Sequence, residues 1–185
     1  VREAVACLKD YIRINTTNPP GNEIRAAEFL KGILDREGVP CEIFVSTPGR
    51  ANLLARLRAD GKPAGPPLLL LHHMDVVPAR AAEWKVDPFA AEEKEGYVWG
   101  RGALDMKAMG IAELMALLRL AQEQTKLSRD VRWLGVCDEE VGGTMGAKWM
   151  VEATTELELA ACTAPGKPGS HPVRVIGPGD VEKMT

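Results

Sequence analysis

Pro67-Leu68-Leu69-Leu70-Leu71, followed by His72-His73-Met74-Asp75, is the stretch that decides the fold. A continuous apolar run of this length reads as a strand covered on both faces, at the centre of a sheet with helices packed against it. His73 then falls at the carboxyl end of that strand, facing the crevice where open α/β sheets hold their ligands. Asp75, two residues on, is placed to accept a hydrogen bond from a histidine's second ring nitrogen, which fixes the tautomer. His72 points to the opposite side of the strand and reads as a packed or partly exposed histidine rather than a ligand.

Working outward, helices and strands alternate. Val1, Val5, Leu8 and Ile12 recur at helical spacing, so residues 2–14 form a helix with one apolar face. Asn18-Pro19-Pro20-Gly21-Asn22 breaks it. Asn22 is the expected N-cap of a second helix over 23–37, stopped by Gly38. Short strands follow at 41–46 and 52–58, the second alternating with a period of two. Residues 79–100 read as loop-rich. A strong helix spans 107–124, a buried strand 131–137, and a further helix starts at Gly143 and runs to Ala153. Strand, helix, strand, helix predicts an α/β fold, a mainly parallel sheet flanked by helices on both faces.

The chain has 185 residues, 45% hydrophobic and 26% charged, with a formal net charge of -3. That is the composition of a soluble globular domain. The charge gives no general attraction to nucleic acid or anionic membrane, and no apolar run approaches the roughly 18 residues of a membrane span. Cys7, Cys41, Cys137 and Cys162 form no C-x-x-C pair and read as reduced thiols of a cytoplasmic protein. No signal peptide is visible, and the start at Val1 suggests that the true N-terminus is missing. Residues 154–185 change character: Ala164-Pro165-Gly166-Lys167-Pro168-Gly169 and Gly177-Pro178-Gly179 are breaker-rich.

Two further motifs answer His73. Gly100-Arg101-Gly102-Ala103-Leu104-Asp105-Met106-Lys107 puts a carboxylate directly before a helix, as an N-cap or as a bridge between two metal ions. Lys107 reads as a surface residue of the first helical turn. Asp138-Glu139-Glu140-Val141-Gly142-Gly143 follows the 131–137 strand. Adjacent carboxylates repel, and such a pair at a buried crevice calls for a cation. One can then hold metal while the other acts as general base.

Together these motifs resemble the M20 metallopeptidases, the group of aminoacylases, glutamate carboxypeptidases, succinyl-diaminopimelate desuccinylases and acetylornithine deacetylases. The resemblance covers residues 1–153, including Trp84 and Asp87-Pro88-Phe89, and Gly96-Tyr97 leading to Trp99-Gly100-Arg101-Gly102. His-x-Asp alone is weak, but the three motifs in this order and at these spacings are highly specific. The resemblance implies a two-zinc site: His73 binds one ion, Asp105 bridges both with a cis peptide after it, and Glu140 binds the other. It makes Glu139 the general base for the attacking water and Asp75 the residue that orients His73. Co2+ or Mn2+ also suits such mixed ligands. The resemblance implies N-acyl amino acids or small peptides as substrates and a homodimer as a possible state of the parent protein.

Departures from the family point the other way. The third acidic ligand and the distal histidine are not found; Glu156, Glu158 and Asp180 lie outside the expected context, and His171 is a loop residue. The inserted dimerisation domain is absent. The expectation is therefore the N-terminal part of a catalytic domain (1–153) with an irregular tail (154–185), and a sheet edge left exposed to aggregation. The alternative is a catalytically inactive fragment or pseudoenzyme with at most weak metal binding. A third reading, a purely structural module, ranks last.

Overall fold

The computed structural model describes residues 2–153. The expectations for Glu156, Glu158, Cys162, His171 and Asp180 lie outside the described residues. Helices α1 (Arg2–Arg13) and α2 (Ile24–Arg36) lead into a hairpin of β1 (Cys41–Thr47) and β2 (Arg50–Leu57). β3 (Leu68–His73) follows, then a small hairpin of β4 (Glu92–Lys94) and β5 (Tyr97–Trp99). α3 (Lys107–Gln122), β6 (Val131–Val136) and α4 (Ala147–Ala153) complete the described part.

The main sheet has the order β1-β2-β6-β3. β3 and β6 are parallel, with Leu71 opposite Leu134 and His73 opposite Val136. β2 runs antiparallel to both β6 and β1. The fold is α/β, but the described sheet is mixed rather than mainly parallel. β6 lies inside it, and β3, expected at the centre, stands at one end of the four strands. The apolar run of β6 is buried throughout, while Leu68, Leu70 and Leu71 of β3 are only half-buried; an apolar run carries no information about strand direction.

Helices do cover both faces. Leu53 and Ala55 of β2 and Val131 and Trp133 of β6 pack against Leu30 and Leu34 of α2, Leu114 and Leu117 of α3, and Tyr11 of α1. Leu134 and Val136 of β6 turn the other way, with Leu69 of β3, to meet Met150 of α4. This is the two-residue alternation of a strand sandwiched between layers. Each Leu, Val or Met among them contributes about 1.5–3 kcal/mol on burial.

α3 packs close to β3 because Gly110 has no side chain. A Cβ there would lie 2.3 Å from His72 Cδ2. His72 is fully buried and stacks on Trp133 at 4.8 Å between ring centroids, with Tyr11 Oη 3.3 Å from its Nε2. It is a packed core residue, as expected. Burial, with the neighbouring His73 and Lys107 charges, pushes its pKa down to about 3. The start of α3, and Asp105 just before it, are thereby drawn towards the end of β3.

Three local expectations are corrected. Asn22 does not cap α2: it sits in the left-handed region (φ 75°), and the N-cap position is Glu23, whose side chain makes no capping bond. α4 starts at Ala147 rather than Gly143, because Gly142 and Gly143 both take positive φ in a turn that precedes it. The loop-rich stretch hides the β4–β5 hairpin, closed by Glu95 and Gly96 at φ 57° and 82°. Two left-handed residues suit the twist of a tight hairpin, but three-residue strands leave little periodicity to read.

Candidate metal centre

The parallel pairing of β3 with β6 sets the geometry. His73 faces Val136, so the chain leaving β6 through Cys137 and Asp138 passes beside the imidazole. Glu139 and Glu140 lie on a short 3-10 turn, Glu139–Val141. Asp105 arrives from the other side, in the turn before α3. The peptide between Asp105 and Met106 is cis, as the resemblance implied.

These residues converge. His73 Nε2 lies 3.1 Å from Asp105 Oδ1 and 3.8 Å from Glu139 Oε2. One ligand atom from each of His73, Asp105 and Glu140 can be chosen so that all three lie within 4.8 Å of one another. Asp105 does not act as the N-cap of α3; that position is Met106, without a side-chain capping bond.

Asp75 does more than the sequence suggests. It is fully buried. Its backbone carbonyl lies 3.0 Å from His73 Nδ1, while its carboxylate Oδ1 is 3.5 Å away. A carbonyl oxygen only accepts, so Nδ1 carries the proton and Nε2 is left to face Asp105. The carboxylate is occupied elsewhere. Asn18 Nδ2 donates to Oδ2 at 2.7 Å, and the backbone N–H groups of Glu139 and Glu140 donate to Oδ1 and Oδ2, each at 3.1 Å. Asp75 thus orients the histidine through its carbonyl and anchors the Glu-Glu turn through its carboxylate.

The electrostatics follow from this packing. Burial disfavours charge on His73, but Asp75 and Asp105 outweigh it and raise its pKa to about 9. Burial likewise works against ionised Asp75, yet bonding from His73, Asn18 and the Glu140 backbone holds it below the usual carboxylate value. Glu140 is pushed up by burial and, against the pull of His73, by Asp105, Asp75 and Glu139. Carboxylates crowded onto one imidazole accumulate negative charge that a divalent cation relieves. One nitrogen and two carboxylate oxygens suit zinc, cobalt or manganese.

Several buried polar residues escaped the sequence reading. Lys107 is not a surface residue: it is fully buried, donating Nζ to the carbonyls of Tyr11 at 3.0 Å and Ile14 at 2.7 Å, with Nζ 4.7 Å from the Tyr11 ring centroid. Burial lowers its pKa to about 7. Its long stem reaches back to the end of α1, an acceptor site that no local pattern announces. Asn18, Glu23, Arg50 and Asp138 also lie behind the centre. The only signal for Asp138 was its adjacency to Glu139.

The chain belongs to peptidase family M20/M25/M40, whose sequence pattern matches residues 69–180. Over 151 residues it is 35% identical to aminoacylase-1 of Mus musculus, a match covering 80% of this chain and 36% of that protein. Among solved structures it is similar to an M20 family metallo-carboxypeptidase from Sulfolobus solfataricus, with 26% identity and a TM-score of 0.67, covering 76% of this chain and 32% of that one. Human carnosine dipeptidase 1 shares the fold at 22% identity and a TM-score of 0.65, over 82% of this chain and 35% of that one. The chain therefore spans 36% of the length of that aminoacylase.

Proposed function

We propose that this chain carries part of the centre of a two-zinc hydrolase that cleaves the amide bond of N-acyl amino acids or small peptides. The observation that carries the reading is the convergence of His73, Asp105 and Glu140 within 4.8 Å in a member of this peptidase family. In this reading His73 would hold one ion, Glu140 the other, and Asp105 would serve both. Bound divalent ions supply an activated water and a polarised carbonyl.

The chain's own residues do the rest. Asp75 and its carbonyl keep the His73 proton on Nδ1. Glu139, half-exposed beside the imidazole, is free to take a proton from the attacking water and to deliver it to the leaving amide nitrogen. The substrate class is taken from the relatives: one is an aminoacylase, another a metallo-carboxypeptidase, a third a carnosine dipeptidase. Among the described residues no helix is long and apolar enough to cross a membrane, and Cys7, Cys41 and Cys137 are free thiols. Those thiols support a reducing, cytoplasmic setting.

A second reading, a chain that binds metal weakly and does not turn over, is favoured by a count of donors. With Asp105 shared, each ion receives two protein ligands from the described residues, fewer than a closed zinc site uses. Elemental analysis of the purified protein after dialysis against trace zinc separates the two. Near two zinc ions per chain, lost in His73→Ala and in Asp105→Ala, is the expected result. Little or no zinc in the parent protein sinks the two-zinc reading.

A further inference from the structure

We propose that Arg50 is a positioning residue for the centre: its guanidinium, gripped between Glu23 and Asp138, sets the entry of the turn that presents Glu139 and Glu140. The inference rests on the reading of those two carboxylates as functional. Arg50 opens β2 and is mostly buried. Its Nε lies 2.8 Å from Glu23 Oε2, and Nη2 donates to Glu23 Oε1 at 3.0 Å and to Asp138 Oδ1 at 2.8 Å. Nη1 donates to the Pro20 carbonyl at 3.1 Å. Three anchors, Glu23, Asp138 and the Pro20 carbonyl, use the several donors of an arginine's fixed fork, which a lysine cannot reproduce.

Asp138 is the residue through which this grip reaches the centre. It immediately precedes Glu139 and holds φ 71°, a left-handed conformation uncommon for a residue with a side chain. Its carboxylate is fully engaged, Oδ1 by Arg50 and Oδ2 by the Met145 N–H at 3.0 Å. Its carbonyl accepts the Gly143 N–H at 2.6 Å. Both ends of the turn are therefore tied to Asp138. The Glu139 and Glu140 N–H groups can reach the Asp75 carboxylate only when the turn starts in that direction.

The same network gives a role to Asn18-Pro19-Pro20-Gly21-Asn22, read in sequence as a helix breaker, and to Glu23 that follows it. Asn18 holds Asp75, and Glu23 holds Asp138 both through Arg50 and directly, its Oε1 accepting the Asp138 N–H at 3.4 Å. Gly21 sits at φ 97°, and a Cβ there would lie 2.6 Å from Arg50 Nε. The glycine leaves room for the guanidinium. Glu23 is fully buried, so two carboxylates share one guanidinium away from water. Such a group is a poor source of stability compared with apolar packing, and its place between two turns that flank the centre accounts for it better.

The test uses the full chain with Arg50→Met and Arg50→Lys, folding being checked by circular dichroism. Amide hydrogen exchange in metal-free protein is the first readout. Glu139 and Glu140 are expected to exchange at least tenfold faster in Arg50→Met while Trp133 and Leu134 in β6 keep their protection; Arg50→Lys recovers part of the loss. Co2+ titration is the second: affinity at least fivefold weaker, with an altered visible spectrum. Unchanged exchange at Glu139 and Glu140 overturns the role of Arg50, whatever the metal does. Absence of Co2+ uptake by the parent protein sinks the metal reading instead and leaves the exchange result to decide on Arg50. Should Arg50→Met fail to fold, Glu23→Gln, which keeps shape and removes one charge, is expected to shift the same two amides about fivefold, and no shift there overturns the proposal.

Discussion

His73 exposes 6% of its side chain and Asp75 none, whereas Asp105 and Glu139, within 4 Å of the same imidazole nitrogen, expose 76% and 58%. The first pair is fixed by the fold: a strand end, a carbonyl and three donors to one carboxylate. The second pair reaches in from turns, with its oxygens towards solvent. Preorganisation is thus concentrated on one side, and charge repulsion on the other. Changes on the buried side are expected to disturb stability and metal together, while changes on the open side are expected to leave stability as it is, Asp105 acting on metal and Glu139 on chemistry.

The largest expected effect tests the open side. Glu139→Gln in the metal-loaded protein should lower kcat by about 10²–10⁴-fold, the usual contribution of a general base. Metal content and melting temperature should stay as in the parent. A parallel loss of metal would make Glu139 a ligand and remove the distinction between the two sides. Asp75→Asn probes the buried side. An amide keeps the shape but turns one acceptor into a donor aimed at backbone N–H groups. Metal affinity, read by titration, should fall about 10–100-fold, and the urea midpoint should fall with it. An unchanged midpoint would show that the buried side is not held as described.

The smallest effect sharpens the contrast through Glu113, a carboxyl in α3 whose Oε2 is buried without a hydrogen-bond partner. Where Asp75 is surrounded by donors, Glu113 has only burial acting on it, which raises its pKa from 4.5 to about 7. The folded state then binds its proton more tightly than the unfolded state. Its contribution is complete below about pH 4.5 and is lost as pH rises through about 7. Glu113→Gln should therefore be the more stable protein at pH 8 and match the parent near pH 4.5, by urea unfolding at each pH. The same difference at both pH values would refute this.

Much of the centre was legible because its residues lie where strands and helices begin or end. His73 closes an apolar run, Asp105 precedes a periodic helix, and Glu139-Glu140 follows a second apolar run. The supporting layer was not legible, for a physical reason. Lys107, Glu23 and Arg50 are charged, and a charged residue read alone is assigned to water. What buries them is the arrival of partners far along the chain, which no local period encodes. Strand direction was hidden likewise, since an apolar run looks the same parallel or antiparallel.

The bonds behind the centre join distant parts of the chain: Asn18 with Asp75, Arg50 with Asp138, and Glu23 with the Asp138 amide 115 positions away. Each of these contacts closes a long loop, and the loop must close before the contact is rewarded. A metal ion therefore has no compact local motif to fold around, unlike a site built from closely spaced cysteines. Metal capture is then expected late in folding, because His73, Asp105 and Glu140 must first be brought together from three separate parts of the chain.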